Sequence, residues 1–342
     1  MAAHESTILN APDQNANIAE AFRISIVIPV YQGERTLGEL VEEILPLTTP
    51  RRTPGGHLFR VTDVILVNDG ALDDSTSVMQ ALAAKHAFVS PVWLSRNFGQ
   101  HPATLAGMAS STGDWVVTLD EDGQHDPAAI GSLIDQAESS GAQLVYARPA
   151  NPPPHAWWRN LTSRTVNQLA RILVGRDRLG SFSSFRLIRG EIARSLAAYC
   201  GQGVYLDVAL SWVVGHVDHC PVRFRQERDR PSGYTFYRLI SHFWRLILTA
   251  GTRPLRIISV LGGLSILVSI GISAYVIWAK FAHQVPIQGW TSLITAVSLF
   301  SGLILFSLGV IAEYLAMTLT MAMGRPLYLI VSPPGRNRPQ RP

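Results

Sequence analysis

Three acidic residues and an amide stand close together in the segment DEDGQ, residues 120–124. Asp120 and Asp122, two positions apart at the extended end of a strand, can both reach toward one hard cation, and Gln124 offers a further oxygen. Mg²⁺ and Mn²⁺ prefer such oxygen ligands and often share them with substrate phosphates. An acidic surface turn would look the same, because a lone DxD pattern occurs in many proteins. Position in the fold must therefore decide between a metal site and a turn.

The elements that position these residues are short buried strands that alternate with helices. Apolar runs predict strands at 24–30, 61–67, 89–94, 115–119 and 144–147, and helical spacing predicts helices at 36–47, 75–86 and 102–110. This alternation predicts an α/β domain with a mostly parallel sheet, in which loops at the carboxyl ends of the strands build the site. Asp120 and the cluster Asn68-Asp69-Gly70 both fall at such ends, which favours the metal interpretation.

Two long uncharged runs lie near the C-terminus, at residues 257–279 and 287–312. Each is long enough to cross the apolar core of a bilayer, so we predict a transmembrane hairpin within 253–323. The alternative is a pair of buried helices in a large soluble core. A preceding basic and aromatic stretch has Arg238, His242 and Arg245 on one helical face, which predicts an interfacial helix at 233–252 rather than an ordinary surface helix.

Charge around the hairpin predicts its orientation. Arginines precede the first run and follow the second, whereas the connecting turn has only Lys280, so both ends are expected in the cytoplasm. Residues 1–20 lack the basic start and apolar run of a signal peptide and are interpreted as a flexible tail. These patterns predict a multi-pass membrane protein with a cytoplasmic catalytic domain at 21–232 and a cytoplasmic tail at 324–342.

Ordered motifs from about residue 24 to 330 resemble the family 2 glycosyltransferases, and most closely the dolichol-phosphate-mannose-synthase-like enzymes that load polyprenyl phosphates. The motifs are PVY from Pro29 with Glu34, VNDG from Val67, SRNFG from Ser95, LDEDGQHDP from Leu119, SFRL from Ser184, SGYT from Ser232 and RPLY from Arg325. The resemblance implies a type A nucleotide-sugar-binding α/β fold with two C-terminal transmembrane helices. It also implies a divalent metal, Mg²⁺ or Mn²⁺, held on the donor diphosphate by Asp120, Asp122 and Gln124.

The resemblance also assigns donor-binding and catalytic residues. The donor-binding set is Pro29, Tyr31, Glu34, Asn68, Asp69, Arg96, Asn97 and Glu121. Asn68 replaces the usual carboxylate of the VDDG pattern, which removes one charge from the nucleotide pocket. Asp207 stands where other family 2 enzymes place a catalytic base, and the alternative for this residue is a helix-capping or structural role. His101 and His125 are expected to be structural rather than metal ligands.

The implied reaction needs little acid–base machinery. A phosphate monoester is mostly dianionic at neutral pH and is already a nucleophile, so in-line attack on the anomeric carbon would invert its configuration. Arginine suits phosphate because its planar group forms paired hydrogen bonds. The candidates are Arg148 and Arg228 as catalytic residues and Arg159, Arg164 and Arg230 as acceptor-phosphate ligands, each with a solvated-surface alternative. The local spacing leaves Arg228 and Arg230 in competition for one role.

Two other functions are compatible with parts of the sequence. A processive polysaccharide synthase would carry a QxxRW motif, which this chain lacks, and a catalytically inactive scaffold of a glycan-export complex would have lost the metal ligands. The net charge of +4 suits a protein that works beside anionic lipids and phosphorylated substrates. A nucleic-acid-binding function is not favoured, because the arginines do not form a basic stripe with stacking aromatics. The expected partners are a UDP- or GDP-sugar, a polyprenyl phosphate and the bilayer of a bacterial inner membrane. Two-helix members are often homo-oligomers.

Overall fold

The structure, a computed structural model, describes residues 21–150, 182–201, 205–225, 289–324 and 326–333, together with scattered positions between 258 and 278. The predicted N-terminal tail and interfacial helix lie outside the described residues, as do Arg159, Arg164, Arg228 and Arg230. The described residues contain one nine-stranded sheet covered by helices on both faces.

The sheet is mostly parallel, as predicted. Its strands are β1 (Phe22–Val30), β2 (Arg51–Arg52), β3 (Leu58–Asn68), β4 (Val89–Leu94), β5 (Trp115–Thr118), β6 (Leu144–Pro149), β7 (Arg186–Arg189), β8 (Val217–Val222) and β9 (Ile330–Val331). Their order is β8-β6-β7-β5-β1-β3-β4-β9, and β2 pairs with β3 outside this path. The pairings give β1, β3, β4, β5, β6 and β8 a common direction, and β2, β7 and β9 run against them.

Residues on both sides of the central strands are apolar because both faces are covered. In β1, for example, Ile26 and Ile28 face one core cluster and Val27 faces the other. The first face carries α1 (Leu37–Ile44), α2 (Ser75–Lys85) and α4 (Ile130–Ser140), and the second carries α3 (Gln100–Ala109), α5 (Gly190–Tyr199) and α6 (Leu206–Val213). Helix α3 lies so close to β1 that a Cβ on Gly107 would stand 2.3 Å from Val27 Cγ1. This contact packs the second half of α3 against the middle of β1.

The last helix, α7 (Trp290–Ala322), is apolar over most of its length. Its window Leu299–Ala316 has a mean hydropathy of 1.9 and is 6% buried. Among the described residues, α7 is the helix that is long enough and apolar enough to cross a membrane. At about 1.5 Å per residue, its 33 residues extend about 50 Å, more than the roughly 30 Å apolar core of a bilayer. The described positions between 258 and 278 are helical too, but the two-helix hairpin stays a prediction.

The chain returns from α7 to the sheet. Strand β9, which falls in the predicted C-terminal tail, pairs antiparallel with β4, and Ser95 N donates to Leu329 O at 2.9 Å. Leu327 and Tyr328 pack against the core on the α3 face. The end of the apolar helix is therefore joined to the strand that leads directly into the segment 95–99.

Candidate active site

A cleft of about 500 Å³ opens at the carboxyl ends of β1, β3 and β5. Seven of the predicted site residues line it: Pro29, Tyr31, Asp69, Asn97, Asp120, Glu121 and Asp122. Gln100, from the first turn of α3, lines it as well and was not predicted. The structure thus brings together residues from three separate strand ends, which is the arrangement that the polar clusters predict.

Asp69 positions the loop between β4 and α3. Its carboxylate, 3% exposed, accepts hydrogen bonds from Phe98 N at 2.7 Å and Gly99 N at 2.9 Å. Burial raises the pKa of Asp69, whereas these two backbone hydrogen bonds oppose the rise by stabilising the carboxylate. Because the loop presents Asn97 to the cleft, Asp69 determines where that side chain can meet a ligand.

The conformation of the turn after β3 depends on the residue types at two positions, Asn68 and Gly70. Asn68 does not line the cleft; its Oδ1 accepts from Gly70 N at 3.0 Å and its Nδ2 donates to Thr76 Oγ1 at 3.0 Å. An amide supplies both the acceptor and the donor that these contacts use. Gly70 has φ +67°, and a Cβ there would lie 2.7 Å from Asn97 N. Glycine is therefore needed for both the conformation and the close approach of the two loops.

Glu121 fixes the end of β1. Its carboxylate accepts from Tyr31 N at 2.9 Å and from Gln32 N at 3.0 Å. Glu34 lies outside the cleft and ties the same loop to the start of α2, since its Oε2 accepts from Asp74 N at 3.3 Å. The carboxylates of both glutamates therefore bind backbone N–H groups, and a contact between these side chains and a donor stays a prediction.

Asp120 and Asp122 are the two carboxylates of the predicted metal-ligand set, which also includes Gln124. Asp120 accepts from Gln100 Nε2 at 2.6 Å and from Ser184 Oγ, and Asp122 Oδ1 accepts from Gln124 N at 3.0 Å. The described residues include no group of three His, Cys, Asp or Glu side chains placed to hold a metal together. One or two carboxylates completed by phosphate oxygens and water are a usual site for Mg²⁺, so these two residues fit a metal shared with a substrate.

His125 supports the same loop from behind. The ring is 4% exposed and lies 5.2 Å from the rings of both Phe185 and Phe224, and its Nδ1 accepts from Asp120 N at 3.1 Å. Burial lowers the pKa of His125. A neutral ring that accepts from the backbone is a structural support for Asp120, in agreement with the sequence interpretation.

Asp207 lies in a buried ion pair. Its Oδ1 accepts from Arg186 Nη1 and from Tyr146 Oη at 2.9 Å, and the two charged side chains are 13% and 4% exposed. Arg186 Nε also donates to Thr118 Oγ1 at 3.1 Å. Asp207 lines a second cavity of about 430 Å³ together with Tyr146, instead of the cleft that contains Asp120. These contacts favour the structural alternative for Asp207 over a catalytic base.

The predicted arginines are less fully described. Arg96 is exposed, and its guanidinium lies 4.7 Å from the centre of the Phe98 ring. Arg148 is exposed at the end of β6 and is not one of the residues that line the cleft. Arg225, which was not predicted from the sequence, forms ion pairs with Glu43 and Asp126 beside the loop that carries Asp120 and Asp122. The sequence offered no signal for it beyond its place among the other arginines.

A comparison with known families assigns the chain to one of them. The family model described as glycosyl transferase family 2 matches residues 25–197, just over half of the 342 residues, and the chain belongs to this family. Among solved structures, TarS 1-349 of S. aureus in complex with UDP-GlcNAc is 13% identical, with a TM-score of 0.45 over 67% of this chain and 66% of that chain. This chain therefore spans slightly less than two thirds of TarS 1-349.

A second similar structure is glucosyl-3-phosphoglycerate synthase from Mycobacterium tuberculosis in complex with Mn²⁺, UDP-glucose and phosphoglyceric acid. It is 19% identical, with a TM-score of 0.46, over 70% of this chain and 81% of that chain. The UDP-sugars, Mn²⁺ and phosphoglyceric acid are ligands of those two proteins. The family match rests on the sequence of residues 25–197, which includes the candidate metal ligands and the cleft.

Proposed function

We propose that this protein transfers a sugar from a UDP- or GDP-sugar to a polyprenyl phosphate at the cytoplasmic face of a membrane, with inversion of the anomeric carbon. The observation that carries the proposal is the connection between the cleft and the apolar helix. Strand β9 joins the end of α7 to β4, and β4 leads into the loop that lines the cleft. A catalytic cleft tied to a membrane-type helix suits an acceptor that is itself held in the bilayer.

The donor is proposed to bind with its diphosphate beside Asp120 and Asp122. These carboxylates, together with the predicted ligand Gln124, would hold Mg²⁺ or Mn²⁺, which supplies Lewis-acid neutralisation of the departing diphosphate. Tyr31 and Asn97 line the same cleft and are placed to contact the nucleotide. The loops that carry them are fixed by hydrogen bonds from their backbone N–H groups to the carboxylates of Glu121 and Asp69, so the donor pocket is largely formed before the donor arrives.

The acceptor phosphate is proposed to act without a general base. One of its oxygens forms the bond to the anomeric carbon while the bond from that carbon to the diphosphate oxygen breaks, and the electron pair leaves with the nucleoside diphosphate. A dianionic phosphate needs no proton removed, which is compatible with Asp207 being engaged by Arg186. Cationic side chains would orient it, and the candidates remain Arg148, Arg159, Arg164, Arg228 and Arg230.

The membrane location is part of the proposal. Helix α7 exposes large apolar side chains such as Leu305 (69%) and Leu315 (66%), which in water would be unfavourable and in lipid would be favourable. We place α7 in the bacterial inner membrane as one of two spanning helices, at 257–279 and 287–312 by sequence, with the cleft on the cytoplasmic side. A homo-oligomer remains part of the expectation from two-helix members.

The test is a transfer assay on the full chain in detergent. Labelled UDP-glucose, UDP-GlcNAc, GDP-mannose and other nucleotide-sugars are supplied with Mg²⁺ or Mn²⁺ and either undecaprenyl phosphate or soluble 3-phosphoglycerate. The variant Asp122→Ala is compared with Glu191→Ala, which removes a carboxylate that is 74% exposed on α5. We expect a lipid-linked, mild-acid-labile product that disappears with EDTA and with Asp122→Ala but persists with Glu191→Ala.

The two acceptors separate the parts of the proposal. Transfer to 3-phosphoglycerate and none to the lipid would keep the glycosyltransferase and contradict the polyprenyl acceptor. No product from any donor, with normal folding and membrane insertion, would favour the inactive scaffold. A product chain of many sugars would favour a processive synthase.

A further inference from the structure

We propose that Arg225 is a positioning residue that holds the loop of Asp122 against helix α1 and thereby sets the affinity of the cation site. The inference rests on the proposed function, because it concerns the cation that Asp120 and Asp122 would share with the donor. It adds a residue that is distant from the loop in sequence and that no motif assigns to the site.

The contacts of Arg225 reach the loop from two sides. Its backbone N donates to Gln124 O at 3.0 Å, so the chain that leaves β8 lies directly along the segment 122–126. Its Nη1 lies 2.8 Å from both carboxylate oxygens of Glu43, and its Nη2 lies 3.2 Å from Asp126 Oδ1. One side chain and one backbone group therefore connect the loop to α1.

The two carboxylates that Arg225 joins are themselves well anchored. Glu43 belongs to α1, whose Leu40, Val41 and Ile44 are buried in the core. Asp126 begins the short helical turn Pro127–Ala129 and accepts from Ala128 N at 3.0 Å. Arg225 thus ties the end of the metal-ligand loop to a rigid helix, and the loop cannot move away from α1 without breaking these ion pairs.

Asp122 lies within reach of this arrangement. Asp122 and Arg225 line the same small cavity of about 40 Å³ beside α1. Asp122 Oδ1 accepts from Gln124 N, and Gln124 O accepts from Arg225 N, so the carboxylate is linked to Arg225 through one residue. The guanidinium also offsets the negative charge that Glu43 and Asp126 add near the two candidate metal ligands.

Replacing Arg225 should have different effects on stability and on metal affinity if the ion pair is purely structural than if it positions the loop. The side chains of Arg225, Glu43 and Asp126 are 41%, 30% and 39% exposed, and exposed pairs contribute little to stability. Residues that orient metal ligands, in contrast, typically change metal affinity by about 10–100-fold when they are replaced. We therefore expect metal binding to change much more than thermal stability.

The experiment measures Mn²⁺ binding by electron paramagnetic resonance of free Mn²⁺, on the full chain in detergent with saturating UDP. The variants are Arg225→Gln, Arg225→Lys and Glu43→Gln. The matched control is Arg23→Gln, because Arg23 forms a comparable exposed pair with Asp114 at 2.8 Å, at the amino ends of β1 and β5 and so opposite the cleft. Melting temperatures and the KM and kcat for the donor are recorded for the same samples.

We expect Arg225→Gln to weaken Mn²⁺ binding about tenfold or more while the melting temperature changes by less than about 2 °C. Arg225→Lys should restore part of the affinity, because it keeps the charge but cannot bridge Glu43 and Asp126 together. Adding Glu43→Gln to Arg225→Gln should cause little further loss, and Arg23→Gln should leave Mn²⁺ binding unchanged.

Three results would overturn the proposal in distinguishable ways. Unchanged Mn²⁺ affinity in Arg225→Gln would show that Arg225 does not position the loop. Equal losses of stability and affinity in both Arg225→Gln and Glu43→Gln would assign the pair a structural role. Failure of the wild-type protein to bind Mn²⁺ with UDP would contradict the cation site, and with it the proposed function, before Arg225 is tested.

Discussion

The ion pair between Asp207 and Arg186 allows a quantitative test of whether Asp207 is a catalytic base. In Asp207→Ala, Arg186 would keep its charge in a site where it is 4% exposed, and Tyr146 would lose its hydrogen-bond acceptor. Removing one partner of a buried ion pair costs about 3–5 kcal/mol in the free energy of unfolding. At about 2–4 °C per kcal/mol for a domain of this size, the melting temperature should fall by roughly 6–20 °C.

The assay is thermal unfolding in detergent, followed by intrinsic fluorescence, with turnover measured below the transition. The control is the double variant Asp207→Leu with Arg186→Met, which removes both charges. Because apolar residues of similar volume often replace a buried pair without loss, this variant should recover most of the melting temperature. A fall in Asp207→Ala and a recovery in the double variant would identify the pair as structural.

The opposite result would refute the reasoning. If Asp207→Ala melts within about 2 °C of the wild-type protein, the ion pair does not stabilise the fold as calculated. If its kcat also falls by about 10²–10⁴-fold, as removal of a general acid or base typically causes, Asp207 is the base that the resemblance implies.

Three further predictions concern the loops and charges around the sheet. Gly70→Ala should weaken UDP binding about tenfold in calorimetry, because the new Cβ would clash with Asn97 N and residue 70 has a positive φ. Gly56→Ala, also at a positive φ but in open space, should bind UDP normally. An equal loss in both variants would contradict the clash with Asn97 as the cause. Arg23→Gln should lower the melting temperature at pH 7, and the difference from the wild-type protein should shrink on acidification. Hydrogen bonds from Arg23 lower the pKa of Asp114, so the stabilisation is lost as the pH falls through that folded-state pKa, and a difference that grew on acidification would have the wrong sign. Removal of divalent cations with EDTA should weaken UDP binding as well as turnover, and unchanged UDP affinity would place the cation elsewhere than on the diphosphate.

The central fold follows from the sequence because its strands are buried on both faces. The predicted strand at 89–94 matches β4, and that at 24–30 misses only the first two residues of β1. Strand β3 begins at Leu58, three residues before the predicted start. The prediction missed this part because Arg60 and Thr62 interrupt the apolar pattern there. Strands β7 and β9 were not predicted, since four and two residues carry no periodic signal and their pairing depends on distant partners.

The site was predictable in its location and less so in the contacts of its residues. Strand ends identify where Asp69 and Asp120 meet, because all parallel strands deliver their carboxyl ends to one edge. The function of Asp69 in the loop depends on backbone groups 29 and 30 positions away, and Arg225 reaches Glu43 across 182 positions. Such contacts arise only after the chain has folded, and residue type and spacing alone do not encode them.

Strand β9 also determines where the chain can be shortened. A chain that ended before α7 would lose β9 and leave β4, with Val92 and Leu94, as an open edge of the sheet. Open edge strands pair readily with other chains and promote aggregation. A soluble form of the catalytic domain therefore needs residues 326–333 supplied again, by fusion through a linker or as a separate peptide. Helix α7 and strand β9 lie on one stretch of chain, so a truncation that removes the apolar helix also removes the strand that completes the sheet.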